Sequence, residues 1–472
     1  MTEGYPYRFE RTSSVGDIRD RHEDLEAGQG SGTTAAIAGR IRTTREHGKI
    51  AFADLEDASG RLQLFAQQAV LGDEGMQGFK ALSVGDIVGA TGEVVMTRRG
   101  ELSLKVTDVT VLAPCLRSMP EKWHGMTDVE ARYRQRYLDM ITNPAAREMI
   151  GARAAANAAI RRYLETRGFV EVETPLLQPI AGGAVARPFV THHNALDIDL
   201  FLRIAPELYL KRLLIGGAEK VYELNRSFRN EGLSTRHNPE FTMLEGYEAY
   251  VDYEDTMALV EDLVKEIARA VNGSLELELA GTPVDLGASF RRVTMFDAIA
   301  EAIQEDLLEA WRNEDYGSLH AAAEKAAIAT QETWSPGRVV MELYEERVEK
   351  NLREPTFVVG FPKDVSPLAK DHRSIPGFTE HADLVMAGLE IAPIYSELND
   401  PAEQRTRFEQ QAAARAAGDH EAQLADEDFL EALAYGMPPA GGFGLGVDRL
   451  LTLLTGAASI REVILFPTLR PG

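Results

Sequence analysis

The segment from Phe228 to Tyr250 concentrates charged and aromatic side chains within the length of one strand–loop–strand unit. It contains two arginines, one histidine, four glutamates and four aromatic residues. Arginine forks grip phosphate or carboxylate groups, and an aromatic ring offers a flat apolar face to a purine base. Because alternate residues of a strand share one face, Glu245 and Tyr247 would present a polar, acidic surface to a cation. The segment therefore predicts a hairpin that holds a nucleotide beside a cationic ligand, and a merely charged hairpin rim is the alternative.

Chain length and cysteine content limit the class of protein. A chain of 472 residues exceeds one ordinary hydrophobic core and predicts two or three domains. The single cysteine, Cys115, excludes an intramolecular disulfide and an all-cysteine metal site, which favours a reducing, cytoplasmic location. No apolar run approaches the roughly 20 residues that cross a bilayer, and the N-terminus lacks a signal-peptide pattern. The sequence thus predicts a globular protein without a membrane partner.

The charge of the chain bears on its possible partners. A formal net charge of −24 argues, taken alone, against nucleic acid, because phosphate contacts need lysine and arginine. Net charge averages over the surface, however, and a local basic patch is sufficient for binding. Two basic clusters occur in the sequence, Arg40, Arg42, Arg45 and Lys49 in the first and Arg132, Arg134 and Arg136 in the second.

The N-terminal quarter divides into an irregular segment and a run of short strands. Residues 1–32 are predicted to be irregular. Residues 33–115 alternate apolar and polar side chains in five stretches separated or interrupted by glycines, and five strands in about 80 residues favour an oligonucleotide-binding (OB) barrel. The stretches are A-A-I-A-G-R-I (35–41), K-I-A-F-A-D-L (49–55), G-R-L-Q-L-F-A (60–66), D-I-V-G-A-T-G-E-V-V (86–95) and L-S-L-K-V-T-D-V-T-V-L (102–112).

The rest of the chain predicts a linker and one large domain. Residues 116–145 are assigned to the linker and residues 146–472 to the domain, with a helix near 146–167. Strands and helices mix there without regular β-α alternation, which favours an α+β fold on an antiparallel sheet flanked by helices. Residues 303–335, rich in alanine and glutamate, predict a helical surface insertion. The first helix is expected to bury a face formed by Ile150, Ala154, Ile160 and Leu164.

A second glycine-rich segment lies near the end of the chain, P-P-A-G-G-F-G-L-G-V-D-R-L-L-T-L-L-T-G (438–456). Glycines before a helix bind phosphate well, so a dinucleotide-binding loop is one interpretation. Too few residues follow Gly446 for the βαβ unit that such a loop requires. The favoured interpretation places Arg449, early in the following helix, on a phosphate directly.

These segments carry a resemblance to a known family. F-R-N-E-G and R-H-N-P-E-F-T, within 228–242, resemble motif 2 of the class II aminoacyl-tRNA synthetases in the form of the lysyl-tRNA synthetases (subclass IIb). E-V-E-T-P, which ends at Pro175, resembles motif 1, and the glycine-rich segment resembles motif 3. The likeness runs from about residue 35 to the end and rests on further phrases, G-G-A-V-A-R-P-F-V-T-H-H-N-A-L-D (182–197), I-A-P-E-L-Y-L-K-R (204–212), P-L-A-K (367–370), S-E-L-N-D (396–400) and R-E-V-I-L-F-P (461–467).

The resemblance implies an activity and its participants. The implied reaction is ATP-dependent attachment of lysine to tRNA through a lysyl-adenylate, with Mg²⁺ as cofactor and a lysine-accepting tRNA as partner. It also implies a homodimer formed through motif 1. A synthetase-like protein that keeps the fold without catalysis is a rival interpretation.

The resemblance also implies roles for individual residues. Arg229 and Arg449 would be catalytic. ATP would be bound by Arg229, Glu231, His237, Asn238, Phe241 and Arg449, with Phe241 on the adenine. Lysine would be bound by Gly183, Glu207, Glu245, Tyr247 and Glu397, and the metal by Asp383 and Glu390. The anticodon would be bound by Phe52, Gln63 and Glu101. His237 could instead be structural, Glu207 an ordinary strand carboxylate, and Phe52 part of the barrel core.

Two adjacent positions depart from the family pattern. Pro393 stands where the family has an asparagine, and Ile394 stands where it has a small residue. Proline offers no side-chain hydrogen bond and no backbone donor. Ile394 is expected to add bulk near the amino-acid backbone. This departure motivates an alternative function, a paralogue that activates a lysine analogue or serves outside translation.

Overall fold

The computed structural model describes residues 5–120, 126–184, 186–331, 334–416 and 425–470. The chain divides into two compact units, Met1–Gly125 and Met126–Gly472. Parts of every predicted segment except the barrel lie outside the described residues, namely 1–4 of the N-terminal segment, 121–125 of the predicted linker, and 185, 332–333, 417–424 and 471–472 of the large domain with its helical insertion.

The first unit is a closed five-stranded barrel with the strand order β1-β2-β3-β5-β4. All five stretches predicted to be strands are strands, and the predicted OB-type barrel is confirmed. Its interior is formed by alternate residues of every strand, such as Leu55, Leu64 and Leu104, each 0% exposed. The elements are α1 (Val15–His22), β1 (Gly30–His47), β2 (Ile50–Asp57), β3 (Gly60–Gln67), α2 (Gln68–Lys80), β4 (Ile87–Met96) and β5 (Leu102–Ala113).

The prediction that residues 1–32 are irregular is wrong for α1. Ser14 and Asp17 cap its first turn reciprocally, each side chain accepting from the other residue's backbone N–H. Val15 and Ile18 are buried and belong to the barrel's hydrophobic core. A helix this short is stabilised mainly by such packing, which a search for long apolar periodicity does not detect.

The second unit is built on an eight-stranded sheet with the order β14-β15-β16-β17-β18-β11-β10-β6. Neighbouring strands are antiparallel except at β14–β15 and β10–β6, so the predicted α+β class is confirmed. The strands are β6 (Val170–Glu171), β7 (Leu177–Gln178), β8 (Phe189–His193), β9 (Ile198–Leu202), β10 (Lys220–Phe228), β11 (Glu240–Ala249), β12 (Glu276–Leu279), β13 (Thr282–Asp285), β14 (Arg291–Thr294), β15 (Thr356–Pro362), β16 (Phe378–Met386), β17 (Leu389–Ser396) and β18 (Ala440–Gly446).

Helices cover the sheet and fill the connections. α5 and α7 share one hydrophobic core with the sheet, whereas α9 and α10 lie in the predicted helical insertion and bury Trp311 and Leu319 in a separate core. The helices are α3 (Val129–Arg134), α4 (Arg136–Thr142), α5 (Pro144–Glu165), α6 (Glu207–Ile215), α7 (Tyr253–Asn272), α8 (Met295–Ile303), α9 (Leu308–Arg312), α10 (Tyr316–Lys325), α11 (Pro336–Arg347), α12 (Pro401–Ala416), α13 (Glu427–Ala434), α14 (Val447–Leu454) and α15 (Ile460–Val463), with 3₁₀ turns at Glu349–Asn351 and Lys363–Val365.

Two expectations for residues 116–167 need correction. Among the described residues of the predicted linker, α3 and α4 form, and Arg136 is buried against Asp139 at 3.0 Å, so this basic cluster is not a free patch. In α5 the residues Ile150 and Ala154 are exposed. The buried stripe instead follows Ala156, Ala159, Ile160, Tyr163 and Leu164. Ala146 near the start of the helix is also buried and Met149 packs against the core, so α5 contacts the protein along its length on a face that excludes Ile150 and Ala154.

Within the described residues, none of the helices is both long and apolar enough to cross a lipid bilayer.

Candidate active site and nucleic-acid interface

The hairpin predicted from Phe228–Tyr250 forms the centre of the site. β10 and β11 pair antiparallel with Glu223 opposite Glu245, and β11 pairs on its other side with β18. Motif 2 and motif 3 are therefore neighbouring strands of one sheet. Asp448 links them further, because its Oδ2 accepts from the Thr242 backbone N–H at 2.7 Å while Oδ1 contacts Arg153 of α5.

A cavity of about 150 Å³ opens beside this hairpin. All six residues assigned to ATP by resemblance line it, together with Glu390 and Pro393. They are Arg229, Glu231, His237, Asn238, Phe241 and Arg449. The structure thus brings the predicted nucleotide-binding residues to one concave surface.

Arg229 carries a buried donor without an acceptor. Its Nε has no hydrogen-bond partner, and its guanidinium carbon lies 5.2 Å from the centroid of the Phe241 ring. Burial lowers the pKa of Arg229, although an arginine remains charged. An unsatisfied buried donor is costly, so the position is suited to an anionic oxygen of phosphate or carboxylate. A base stacked on Phe241 would use the ring face opposite Arg229.

His237 contacts Arg449 and supports it. Arg449 Nη2 lies 3.3 Å from His237 Nε2, and Nη1 donates to the Glu390 carbonyl oxygen at 2.9 Å. Burial and then the nearby charge of Arg449 lower the pKa of His237, which favours the neutral ring. In that form Nε2 accepts from Arg449 while Nδ1 donates to Ser234 Oγ at 2.9 Å.

Asn238 and Glu231 occupy different surroundings on the same loop. The Asn238 side chain is buried and its Nδ2 donates to the Glu240 carbonyl oxygen at 2.6 Å, while Oδ1 has no partner. Glu231 is exposed at the cavity. Asn238 therefore holds the loop closed and keeps one acceptor free.

Asp383 and Glu390, assigned to the metal by resemblance, lie on the adjacent strands β16 and β17. His381 Nε2 donates to Asp383 Oδ1 at 2.9 Å and its Nδ1 accepts from Ser366 Oγ at 3.0 Å, an arrangement that orients the carboxylate. Burial raises the pKa of Glu390. Among the described residues no group of three or more potential ligands is assembled. Two carboxylates suit a hard cation that takes its other ligands from phosphate and water.

The five residues assigned to lysine lie on four segments. Tyr247 donates to Glu245 Oε2 at 3.1 Å, and both side chains are buried. Gly183 has φ +85°, and a Cβ there would lie 3.1 Å from Glu207 Cβ, so glycine permits the close approach. Glu207 is the first residue of α6 and not a strand residue, which corrects the alternative considered for it. Glu397 is 1% exposed.

Lys211 was not anticipated from the sequence, although it lies in the phrase I-A-P-E-L-Y-L-K-R. Its ammonium Nζ is 2.7 Å from Glu207 Oε1 and 2.6 Å from Glu397 Oε2, and the side chain is fully buried. Burial alone would lower the pKa of Lys211, but the two carboxylates outweigh it and raise the pKa above its usual range. The lysine-type pocket therefore already contains one cation of the protein itself.

Gly442 leaves the room that this pocket needs. A Cβ at this position would overlap Glu397 Oε1 and lie 2.6 Å from the Tyr247 ring. The close packing of β18 under both side chains thus depends on the absence of a side chain at residue 442.

The outer face of the barrel carries a pair of aromatic rings. Phe52 and Phe65 stack with centroids 5.1 Å apart, and both point away from the core because Ala51 and Ala53 occupy the inward positions. The alternative that Phe52 is barrel core is therefore wrong.

The other two residues assigned to the anticodon have different surroundings. Gln63 Oε1 accepts from Ser103 Oγ at 3.0 Å. Glu101 is exposed and directly precedes β5.

Comparison with known proteins identifies the family. A family model described as tRNA synthetases class II (D, K and N) matches residues 128–470, and one described as an OB-fold nucleic acid binding domain matches residues 35–112. The chain belongs to the class II tRNA synthetases. Curated relatives named lysine–tRNA ligase are similar to this synthetase over nearly its whole length. That of Syntrophomonas wolfei is 52% identical over 99% of this chain and 94% of its own. Those of Carboxydothermus hydrogenoformans and Gloeobacter violaceus are 50% and 51% identical over the same shares.

The departure at Pro393 and Ile394 has a smaller effect on the synthetase site than expected. Ile394 is 0% exposed and packs in the hydrophobic core, so the expected bulk near the amino-acid backbone is wrong. Successive residues of β17 face opposite sides of the sheet, and of these two residues Pro393 lines the cavity while Ile394 does not. A Cβ on Gly444 would lie 3.7 Å from Pro393 Cγ and 3.8 Å from Glu245 Cγ, which places the proline ring near the acidic pocket.

The affinity of the pocket at Glu245 for an ammonium ligand should rise with pH. Burial, followed by the charge of Glu207, raises the pKa of Glu245 to about 8. Below that pH the free pocket holds a proton that an arriving ammonium group must displace. We expect the dissociation constant of such a ligand to fall by up to about tenfold per pH unit between pH 6 and 7 and to level off above pH 8. Titration of the protein with an amino acid that carries a side-chain ammonium group measures this, and a dissociation constant that is flat from pH 6 to 8.5 would contradict it.

Proposed function

We propose that this chain is a lysine–tRNA ligase, which activates lysine with ATP and transfers it to a lysine-accepting tRNA. The observation that carries the proposal is the pairing of two buried sites. Tyr247, Glu245 and Glu397 form an acidic pocket that can replace the water lost by a side-chain ammonium group. Next to it lies the cavity in which Arg229 keeps an unsatisfied donor.

The first step joins lysine to the adenosine phosphate. An oxygen of the lysine carboxylate attacks the α-phosphorus of ATP, and the bond from that phosphorus to the bridging oxygen of pyrophosphate breaks. The carboxylate is already a nucleophile, so no general base is needed. The protein's part is to align the two reactants and to neutralise charge with Arg229 and Arg449.

We assign the magnesium ion to Asp383 and Glu390. The support is the position of both carboxylates on adjacent strands, the orientation of Asp383 by His381, and the contact of Arg449 with the Glu390 backbone. When bound, Mg²⁺ supplies positive charge that stabilises the phosphate oxygens during the displacement.

The second step transfers the lysyl group. A hydroxyl oxygen of the terminal ribose of tRNA attacks the carbonyl carbon of the adenylate, the bond from that carbon to the phosphate oxygen breaks, and AMP leaves with its phosphate taking up the hydroxyl proton. The pocket of Glu245, Tyr247 and Glu397 retains the lysyl side chain during this exchange. Since its substrate is tRNA, we propose a cytoplasmic location.

The test of the proposed function is lysine-dependent exchange of labelled pyrophosphate into ATP, followed by charging of a lysine-accepting tRNA. Exchange that requires lysine and is not supported by aspartate or asparagine would support it. A folded protein that binds ATP without lysine-dependent exchange would refute it and would favour the non-catalytic rival.

The barrel is assigned to the anticodon through Phe52, Gln63 and Glu101. The outward, half-buried Phe52 ring provides a stacking surface, and the Gln63 amide is oriented by Ser103. Single-stranded loops are commonly bound by such stacking with base-edge hydrogen bonds.

Phe52→Ala should weaken tRNA use without affecting adenylate formation. Stacking on an aromatic ring is worth about 1–3 kcal/mol per base, so KM for tRNA should rise about 5- to 100-fold. Pyrophosphate exchange needs no tRNA and should stay normal. Tyr7→Ala, which removes a fully exposed aromatic residue from the same unit, is the matched control. Equal effects of both substitutions on KM for tRNA would show that the assignment of Phe52 to the anticodon site is wrong.

We also propose a homodimer formed through motif 1 and the small sheet β7-β9-β8. Large apolar side chains are exposed there, which is unusual for a surface in water. They are Val170, Leu176, Leu177, Val190, Leu196 and Ile198. Light scattering should give twice the mass of one chain, and Leu177→Asp should shift the population toward single chains. A wild-type protein that is a single chain at micromolar concentration would refute the proposal.

A further inference from the structure

Lys211 lies among the carboxylates assigned to substrate lysine, and the mechanism above gives it no role. It follows Glu207 by one turn of α6, so both side chains emerge on the same face of the helix. Glu397 reaches it from the end of β17, where its backbone N–H donates to the Ala440 carbonyl oxygen at 2.8 Å. A fully buried ammonium group with two carboxylate partners is an ordered part of the site and not a surface pair.

The geometry divides the carboxylate oxygens into two sets. Lys211 Nζ donates a hydrogen bond to Oε1 of Glu207 and forms an ion pair with Oε2 of Glu397. The remaining oxygen of Glu397 points to the space above Gly442, next to the Tyr247 ring. Each carboxylate therefore keeps one oxygen for another donor while the first is held in place.

The charges of the pocket balance those of a bound lysine. Three carboxylates surround one small volume, because Glu245 accepts from the Tyr247 hydroxyl, Glu397 Oε1 lies beside the Tyr247 ring at Gly442, and Lys211 pairs with both Glu207 and Glu397. Free lysine brings two ammonium groups, and its own carboxylate would be opposed by Arg229. With Lys211 present, three negative charges face three positive charges once lysine is bound.

We propose that Lys211 is a positioning and specificity-determining residue. Its ammonium group neutralises one of the three carboxylates permanently, so two negative charges remain unpaired in the free pocket. The pocket therefore selects an amino acid with two ammonium groups. The proposal rests on the proposed function. It adds that the pocket's preference is set by a protein cation as well as by the acidic side chains.

The test is a double-substitution cycle read by lysine-dependent pyrophosphate exchange. Lys211→Met leaves one negative charge in excess when lysine is bound, and Glu397→Gln leaves one positive charge in excess. Each should raise KM for lysine by about tenfold or more while KM for ATP changes less than about twofold. The double variant restores the balance, so its KM for lysine should be lower than that of either single variant.

A control on the same helix separates charge balance from helix stability. Arg212→Met removes a neighbouring basic residue, which pairs instead with Asp426 at 3.0 Å and Asp428 at 2.9 Å, and should leave KM for lysine unchanged. If Lys211→Met does not fold, KM for lysine of Glu397→Gln can still be compared with that of the double variant, and the proposal requires the lower value in the double variant.

Two results would overturn the proposal. One is a double variant whose loss of lysine binding equals the sum of the single losses, and the other is a parallel rise of both Michaelis constants in Lys211→Met. Failure of the proposed function is distinguishable from either, because it would appear in the wild-type protein as an absence of lysine-dependent exchange.

Discussion

Arg229→Ala is expected to lower the rate of lysine-dependent pyrophosphate exchange by about 10²- to 10³-fold, which corresponds to about 3–4 kcal/mol of lost transition-state stabilisation. The reason is that Arg229 lines the cavity with its buried Nε unpaired in the free protein. Its hydrogen bonds are therefore available to charge that develops between carboxylate and α-phosphate. The loss should appear in kcat, measured at saturating ATP and lysine.

Two further variants make this result specific. Arg229→Lys keeps the positive charge but lacks the planar fork, so it should recover only part of the rate. Arg291→Ala removes an exposed arginine at the sheet edge, paired with Glu301 at 3.4 Å, and should exchange pyrophosphate normally. Normal exchange by a folded Arg229→Ala would show that the assignment of this residue is wrong.

Glu245→Gln is expected to raise KM for lysine by about 10²- to 10³-fold with little change in KM for ATP. The substitution preserves volume and the hydrogen bond to Tyr247 but removes a buried charge that would pair with the substrate ammonium group. Removing one partner of a buried charge pair typically costs about 2–5 kcal/mol. Steady-state exchange at varied lysine and fixed ATP measures the effect.

A matched control lies on the same strand. Glu248 faces the other side of β11 and pairs with Lys220 at 2.6 Å, so Glu248→Gln should change thermal stability slightly and lysine binding not at all. Glu245→Gln should also flatten the pH profile of lysine binding, because it removes the group that titrates. A variant that binds lysine normally and keeps that profile would exclude Glu245 as the ammonium ligand.

The sequence predicted elements whose signal is local. The five barrel strands alternate clearly, so their number and the barrel could be predicted. In contrast, α1 is eight residues long and depends on contacts of Val15 and Ile18 with the barrel. The face that α5 buries could not be predicted either, because its partners in the core, such as Met257 and Val260 of α7, are distant in sequence.

The site divides in the same way. Residues carried by contiguous phrases, such as Arg229 and Phe241, could be assigned to one cavity from resemblance alone. The role of Lys211 depends on Glu397, which is distant in the chain and adjacent only after folding. The inward orientation of Ile394 required the register of β17, which the family pattern does not contain.

Gly442 shows that a glycine can be required for volume alone. Its φ lies outside the left-handed region, so its backbone conformation is open to any residue. Only the crowding by a carboxylate and a phenol ring demands the missing methyl. A glycine-to-alanine substitution intended to stiffen β18 would therefore leave the backbone unstrained. Its methyl group would instead reduce the volume of the pocket that an amine-bearing side chain must enter.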